Sequence, residues 1–114
     1  MATIVNITFD CADPAALAAF WAEVLGRPAP EEVSPDVVQL SGTPNVLFIR
    51  VPESKTAKNR MHLDLGVDDL DAARARYESL GATFVHEKDE YGIRWFTFRD
   101  PEGNELCVAA MDAH

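Results

Sequence analysis

The sequence has little of what marks secreted, membrane or nucleic-acid-binding proteins. Its two cysteines, Cys11 and Cys107, form no CxxC pair and are too few for a disulfide scaffold, so both are expected to be reduced thiols in strands. No apolar run approaches the ~20 residues that cross a bilayer. The start MATIVNITFD also lacks the basic and then apolar pattern of a signal peptide. These absences predict a cytoplasmic protein with no membrane partner.

Positive charge is also scarce. Ten Lys and Arg residues stand against 19 Asp and Glu, and the resulting net charge of −9 opposes binding to nucleic acid and to anionic membranes. What is present suits a globular protein, since 47% of the 114 residues are hydrophobic and 25% are charged. That length predicts one domain and leaves no room for a second independent core.

The first half of the chain predicts a strand, a helix and then further short strands. Residues 3–10 alternate between apolar and polar, as in a half-buried strand. Asp13 followed by Pro14 predicts a helix start, and Gly26 predicts its end. The helix carries one apolar stripe, formed by Leu17, Phe20, Trp21, Val24 and Leu25. Strands are predicted at about 36–41 and 45–51, with a weaker one near 29–33, where proline interrupts the pattern.

The second half repeats this order. Residues 61–67 alternate, Asp68 or Asp69 begins a helix, and Gly81 closes it. The apolar side of this helix is Leu70, Ala73, Tyr77 and Leu80. Three strands follow at 83–87, 93–99 and 105–111, and the DPEGN turn at 100–104 separates the last two.

The two halves align at a shift of 56 residues, which places Asn6 on His62 and Thr8 on Asp64. So short a repeat cannot bury its sheet alone, and the two copies are expected to share a core. The predicted fold is α+β, with two βαβββ modules around a shared cleft and the helices on the outer face. Module one spans about 3–51, a polar linker about 52–60, and module two about 61–111, within a single domain of residues 1–114. The side chains expected in the cleft are Asn6, Thr8, His62, Asp64, Glu105 and Cys107.

Three segments of the sequence resemble a known family. They are FDCADPAALAAFWAEVLG (9–26), VPESKTAKNRMHLDL (51–65) and DPEGNELCV (100–108). Together they resemble the glyoxalase-like branch of the vicinal oxygen chelate superfamily, which also holds glyoxalase I, bleomycin resistance proteins and extradiol dioxygenases. The resemblance implies paired modules curled around a cavity, and frequent homodimers. It also implies, in metal-dependent members, a divalent ion on four side chains from the first and last strands of each module.

The resemblance implies metal-ligand positions that match the usual His, Glu or Gln poorly. They fall at Asn6, His62, Cys107 and either Phe48 or Ile49, so one usual ligand of four is present. If a metal binds, imidazole and thiolate favour zinc, held by His62, Cys107 and Glu105. Glu105 lies two residues from Cys107, ~6–7 Å along the strand, which is far for joint coordination.

Several residues have a functional and a structural interpretation. His62 is either a general base beside Asp64 or a histidine hydrogen-bonded within the sheet. Cys107 is either a reactive thiolate or a small buried filler. The basic residues Lys55, Lys58 and Arg60 either clasp an anionic substrate or pair with acidic groups. Alternation lets only one face of 93–99 line an aromatic pocket, which leaves either Trp95 or the pair Phe96 and Phe98.

Two main functional hypotheses follow. The first is a bleomycin-resistance-like protein with a degenerate metal site, which binds or sequesters a small, partly aromatic organic ligand. The second is a lyase, isomerase or dioxygenase acting on a small oxygenated substrate, with His62 as the catalytic residue, with or without metal. A third is a dimeric structural module whose cleft is too small for a ligand. The predicted ligand-binding residues are Asn6, Thr8, His62, Asp64, Trp95, Glu105, Cys107 and Arg60.

Overall fold

The computed structural model describes residues 1, 4–90 and 92–113, and it confirms the predicted α+β class with two mixed sheets and two α-helices. The chain divides into two compact units, residues 1–54 (unit 1) and 55–114 (unit 2). Neither helix within the described residues is long and apolar enough to cross a bilayer.

Unit 1 holds a three-stranded sheet and one helix. Its elements are β1 (Asn6–Cys11), α1 (Pro14–Leu25), β2 (Val37–Leu40) and β3 (Asn45–Arg50). The strand order is β1-β3-β2, with β1 parallel and β2 antiparallel to β3. Both predicted ends of α1 are confirmed, since the Asp13 carboxylate accepts from the Ala16 amide at 3.2 Å and Gly26 has a left-handed φ of 64°. Thr3, where the first strand was predicted to begin, lies outside the described residues.

The core of unit 1 lies between α1 and one face of this sheet. Phe9 stacks on Trp21 and on Phe48, with ring centroids 5.2 Å and 5.4 Å apart. The predicted stripe supplies the helix side of this core, because Leu17 and Trp21 are almost fully buried. Because strand side chains alternate, the opposite face of β1 leaves Asn6 and Thr8 exposed.

The weaker strand predicted near 29–33 is wrong. All five of these residues are described and none is in a strand. Pro28 and Pro30 flank the segment's start, and proline offers no amide proton to a strand ladder. Within the described residues 1 and 4–54, the sheet of unit 1 consists of β1, β2 and β3.

Unit 2 is a complete βαβββ module. Its elements are β4 (Leu63–Val67), α2 (Leu70–Ser79), β5 (Thr83–Glu90), β6 (Ile93–Arg99) and β7 (Glu105–Ala110), followed by a 3₁₀ turn at Met111–Ala113. The strand order is β4-β7-β6-β5, with β4 parallel to β7 and the other pairs antiparallel. Of the two predicted caps, Asp69 is the one used, and it accepts from the Ala72 amide at 3.0 Å.

The core of unit 2 settles which aromatic residues face inward. Phe96 and Phe98 are fully buried, and Phe98 meets Tyr77 of α2 edge-on at 5.8 Å. Burial also raises the pKa of the Tyr77 phenol. Since neighbouring side chains on a strand point to opposite faces, Trp95 and Thr97 lie on the other face of this sheet.

The DPEGN turn holds β6 and β7 together through one carboxylate. Asp100 is buried, and it accepts from the amides of Glu102 and Asn104, each at 2.9 Å, and from the Asn104 side chain. Gly103 completes the turn with a φ of 87°. This turn fixes the register in which Thr97 lies opposite Cys107.

Candidate functional site

The candidate site lies on the face of the unit 2 sheet that is turned away from α2. The strand register places Asp64 of β4 beside Cys107 of β7, and Cys107 beside Thr97 of β6. One step along, Ala109 lies opposite Trp95. Five side chains from three neighbouring strands therefore come to one surface, namely Asp64, Trp95, Thr97, Cys107 and Ala109.

A cavity of about 280 Å³ opens on this surface. Its lining is mostly apolar with a small polar group, and consists of His62, Asp64, Ile93, Trp95, Cys107, Val108 and Ala109. Apolar walls with a few converging polar groups are the usual composition of a small-molecule site. The volume is at the lower end for such sites, so it suits a compact ligand.

The polar group of this cavity is a triad of His62, Asp64 and Cys107. One ligand-type atom from each lies within 4.8 Å of the others. His62 Nε2 is 3.2 Å from Asp64 Oδ1, and both side chains are about half exposed, at 45% and 60%. The predicted pairing of these two residues is therefore present, just before and within β4.

The surroundings of Cys107 favour the thiol over the thiolate. Burial raises its pKa, and the nearby carboxylates of Asp64 and Glu105 raise it further. A 3.5 Å contact with the Thr97 hydroxyl and the charge of Lys58 oppose this shift without reversing it. These surroundings disfavour the reactive-thiolate interpretation.

The triad fits zinc by the chemistry of its donors. An imidazole, a carboxylate and a thiolate are all zinc ligands, and three protein ligands leave a fourth position open. His62 and Cys107 of the predicted metal set are thus grouped with Asp64 rather than with Glu105. A zinc ion held there would need the Cys107 thiol to give up its proton.

Glu105 instead anchors the loop that precedes β4. Its side chain is only 9% exposed, and Oε2 accepts from the Asn59 amide at 3.3 Å, while the Asn59 side chain donates to the Glu105 carbonyl. Lys55 and Arg99 lie 4.0 Å and 3.9 Å from its two oxygens. Burial alone would raise the pKa of Glu105, but the hydrogen bond from Asn59 and the charges of Lys55 and Lys58 lower it below its ordinary value.

Asn6 and Thr8 belong to unit 1, where both are exposed. Asn6 accepts a 3.1 Å hydrogen bond from the Asn45 side chain, and Thr8 is in register with Leu47. Because Asp64 is in register with Cys107 in unit 2, the counterpart of Cys107 is Leu47, not Phe48 or Ile49 as predicted. That residue is equally unable to bind a metal. The shared cleft stays a prediction.

Arg60 is exposed and does not line the 280 Å³ cavity. Its assignment as a ligand-binding residue also stays a prediction.

Four site residues were missed in the sequence. Ile93, Val108 and Ala109 line the cavity, and Thr97 contacts Cys107. Ile93, Thr97 and Ala109 each lie two residues from a predicted site residue on the same strand face, so strict application of the alternation would have found them. Val108 follows Cys107 directly, and the alternation gives no signal for it.

The model of the glyoxalase-like domain family matches residues 6–109. The chain belongs to this family. Among curated proteins, no sequence matches this glyoxalase-like domain significantly.

Solved structures share the fold of this glyoxalase-like domain. A glyoxalase/bleomycin resistance protein/dioxygenase family enzyme from Burkholderia phytofirmans PsJN has a TM-score of 0.76 at 21% identity, covering 96% of this chain and 99% of that one. A glyoxalase-related enzyme from Fulvimarina pelagi has a TM-score of 0.76 at 18% identity, covering 96% and 88%. A lactoylglutathione lyase from Agrobacterium tumefaciens has a TM-score of 0.67 at 21% identity, covering 96% and 94%. At these identities the similarity establishes the fold alone.

Proposed function

We propose that this glyoxalase-like domain binds a small, partly aromatic organic molecule in the 280 Å³ cavity of unit 2. The observation that carries the proposal is the half-buried Trp95, which lines the same mostly apolar cavity as the triad. The indole offers a stacking surface and the triad offers hydrogen-bonding groups. Binding or sequestration of a ligand needs no more than this.

The weakness of the metal-ligand set supports binding rather than metal-dependent catalysis. Of the four positions that the resemblance implies, His62 alone carries a usual ligand, and the counterpart of Cys107 is Leu47. His62 and Asp64 already contact each other at 3.2 Å. Burial raises the pKa of the Cys107 thiol, so a metal bound there must displace its proton.

A metal-assisted enzyme is the second candidate, because the donors of the triad lie within 4.8 Å of one another. Zinc on His62, Asp64 and Cys107 would polarise the oxygen of a bound substrate as a Lewis acid. The reaction would be that of a lyase, isomerase or dioxygenase on a small oxygenated compound. His62 without metal would serve as a general base, oriented by Asp64.

A thermal-shift screen of small aromatic and oxygenated compounds tests the binding function. A ligand present at 100 times its Kd stabilises the native state by about 2.7 kcal/mol, which is about 10 °C for a chain of this size. We expect His62→Ala to weaken binding about tenfold, because a buried polar group of the ligand loses its partner. The control, His86→Ala, removes a histidine outside this cavity and should bind normally.

Metal analysis of protein purified without chelator separates the two candidates. The binding function predicts less than stoichiometric zinc and ligand-induced stabilisation that survives EDTA. One zinc per chain, lost in both His62→Ala and Cys107→Ser, would favour the enzyme instead.

We also propose a cytoplasmic homodimer. Exposed apolar side chains support the dimer, notably Ile4 at 73% and Val5 at 62%, which lead into the edge strand β1. Sedimentation velocity should give twice the 12.6 kDa chain mass. A single species at the chain mass would contradict this proposal.

A further inference from the structure

A second pocket in unit 2 gathers basic side chains. It has a volume of about 540 Å³, and its lining includes the cations Lys55, Lys58 and Arg99, the hydroxyl of Thr97, and the carboxylates of Glu102 and Glu105. Three of the ten basic residues of a chain with net charge −9 therefore surround one pocket. The sequence predicted an anion-binding group of Lys55, Lys58 and Arg60. In the structure the two lysines line this pocket together with Arg99, and Arg60 does not line it.

Two cations of this pocket lie near the buried Glu105 carboxylate without donating a hydrogen bond to it. Glu105 receives its hydrogen bond from the Asn59 amide. The cations Lys55 and Arg99 lie 4.0 Å and 3.9 Å from it, beyond the 2.7–3.2 Å of a hydrogen bond. Lys55 also donates to the Ala57 carbonyl. Within the described residues, the Lys58 ammonium makes no hydrogen bond or ion pair.

We propose that this basic pocket binds a small oxyanion, the carboxylate or phosphate group of a metabolite. Arg99 supplies a planar fork that matches either group, and Lys58 supplies a mobile point charge. The Thr97 hydroxyl, which contacts the Cys107 sulfur at 3.5 Å, also lines this pocket. The basic pocket adjoins the triad through this contact, but it shares no lining residue with the 280 Å³ cavity. Its occupancy does not depend on the proposed function.

Titration of the whole protein with inorganic phosphate, followed by amide chemical shifts, tests this site. Ionic strength is held constant with sodium chloride, because screening alone perturbs surface charges. We expect saturable shifts at residues 55–59 and at Arg99, and an affinity about fivefold weaker in Lys58→Ala, from loss of one exposed charge-assisted contact. The matched control is Lys88→Ala, an exposed lysine paired with Glu90 on β5, which should bind phosphate normally.

A parallel titration with acetate distinguishes the two sources of the oxyanion. Saturation by phosphate alone indicates a phosphorylated ligand, and saturation by acetate alone indicates a carboxylate. Either result supports the site. Linear, unsaturable shifts with both anions would overturn it, as would equal affinity in wild type and Lys58→Ala.

Discussion

At the scale of single residues, Glu105 holds the loop before β4 in place. Its buried carboxylate accepts from the Asn59 amide, and its carbonyl accepts from the Asn59 side chain. Asn59 is the central residue of the KNR segment (58–60), which lies in one of the three stretches that resemble the family. These hydrogen bonds give it a structural role. The sequence could not predict this contact, because Asn59 and Glu105 are 46 positions apart and only the fold brings them together. Their pairing was therefore missed.

Replacement of Glu105 by Ala should destabilise the protein by about 2 kcal/mol, since it leaves a partly buried amide without its charged acceptor. Urea unfolding at pH 7 measures the loss. Glu53→Ala, an exposed change in unit 1, is the control and should have little effect.

The same carboxylate predicts a pH dependence. Its folded-state pKa is lowered, so its contribution is complete above the unfolded pKa and is lost as pH falls through the folded pKa. Wild type should therefore lose more stability than Glu105→Ala between pH 5 and pH 3. Parallel losses in both proteins would show that Glu105 is not linked to acid unfolding.

At the scale of elements, local signals predicted the helices well and the weak strand badly. Each helix has a local start signal and a local stop signal in the sequence. The starts at Asp13 and Asp69 are N-caps in the structure, and the glycines that follow the helices, Gly26 and Gly81, both have positive φ. No strand forms at 29–33, because proline has no amide proton to donate to a neighbouring strand. Strand ends also shifted by up to three residues, as with β5, which continues to Glu90.

The two helix caps give a matched pair of variants. Asp13→Ala and Asp69→Ala should each cost about 1 kcal/mol, because each leaves a first-turn amide without its acceptor. Asp→Asn at the same positions retains an acceptor oxygen and should cost little. Urea midpoints that do not change in the alanine variants would show that the caps contribute nothing to stability.

At the scale of the whole molecule, the repeat in the sequence predicted two related units, but not that they differ. Unit 2 has four strands and both pockets that bear on function, whereas unit 1 has three strands. The alternation of residues 61–67 placed His62 and Asp64 on one side of the strand, and in the structure both line one cavity with Cys107. The alternation could not reveal how side chains from β4, β6 and β7 converge, because that depends on the register set by the DPEGN turn.

The most direct test of ligand binding beside Trp95 is the indole NMR signal of that residue. The chain has two tryptophans, and Trp21 is 1% exposed in the core of unit 1, so it serves as an internal reference. Compounds that raise the melting temperature should shift the Trp95 signal and leave that of Trp21 in place, and Trp95→Leu should abolish their stabilising effect. Stabilising compounds that leave the Trp95 signal unmoved, or that stabilise Trp95→Leu equally, would contradict the proposed site.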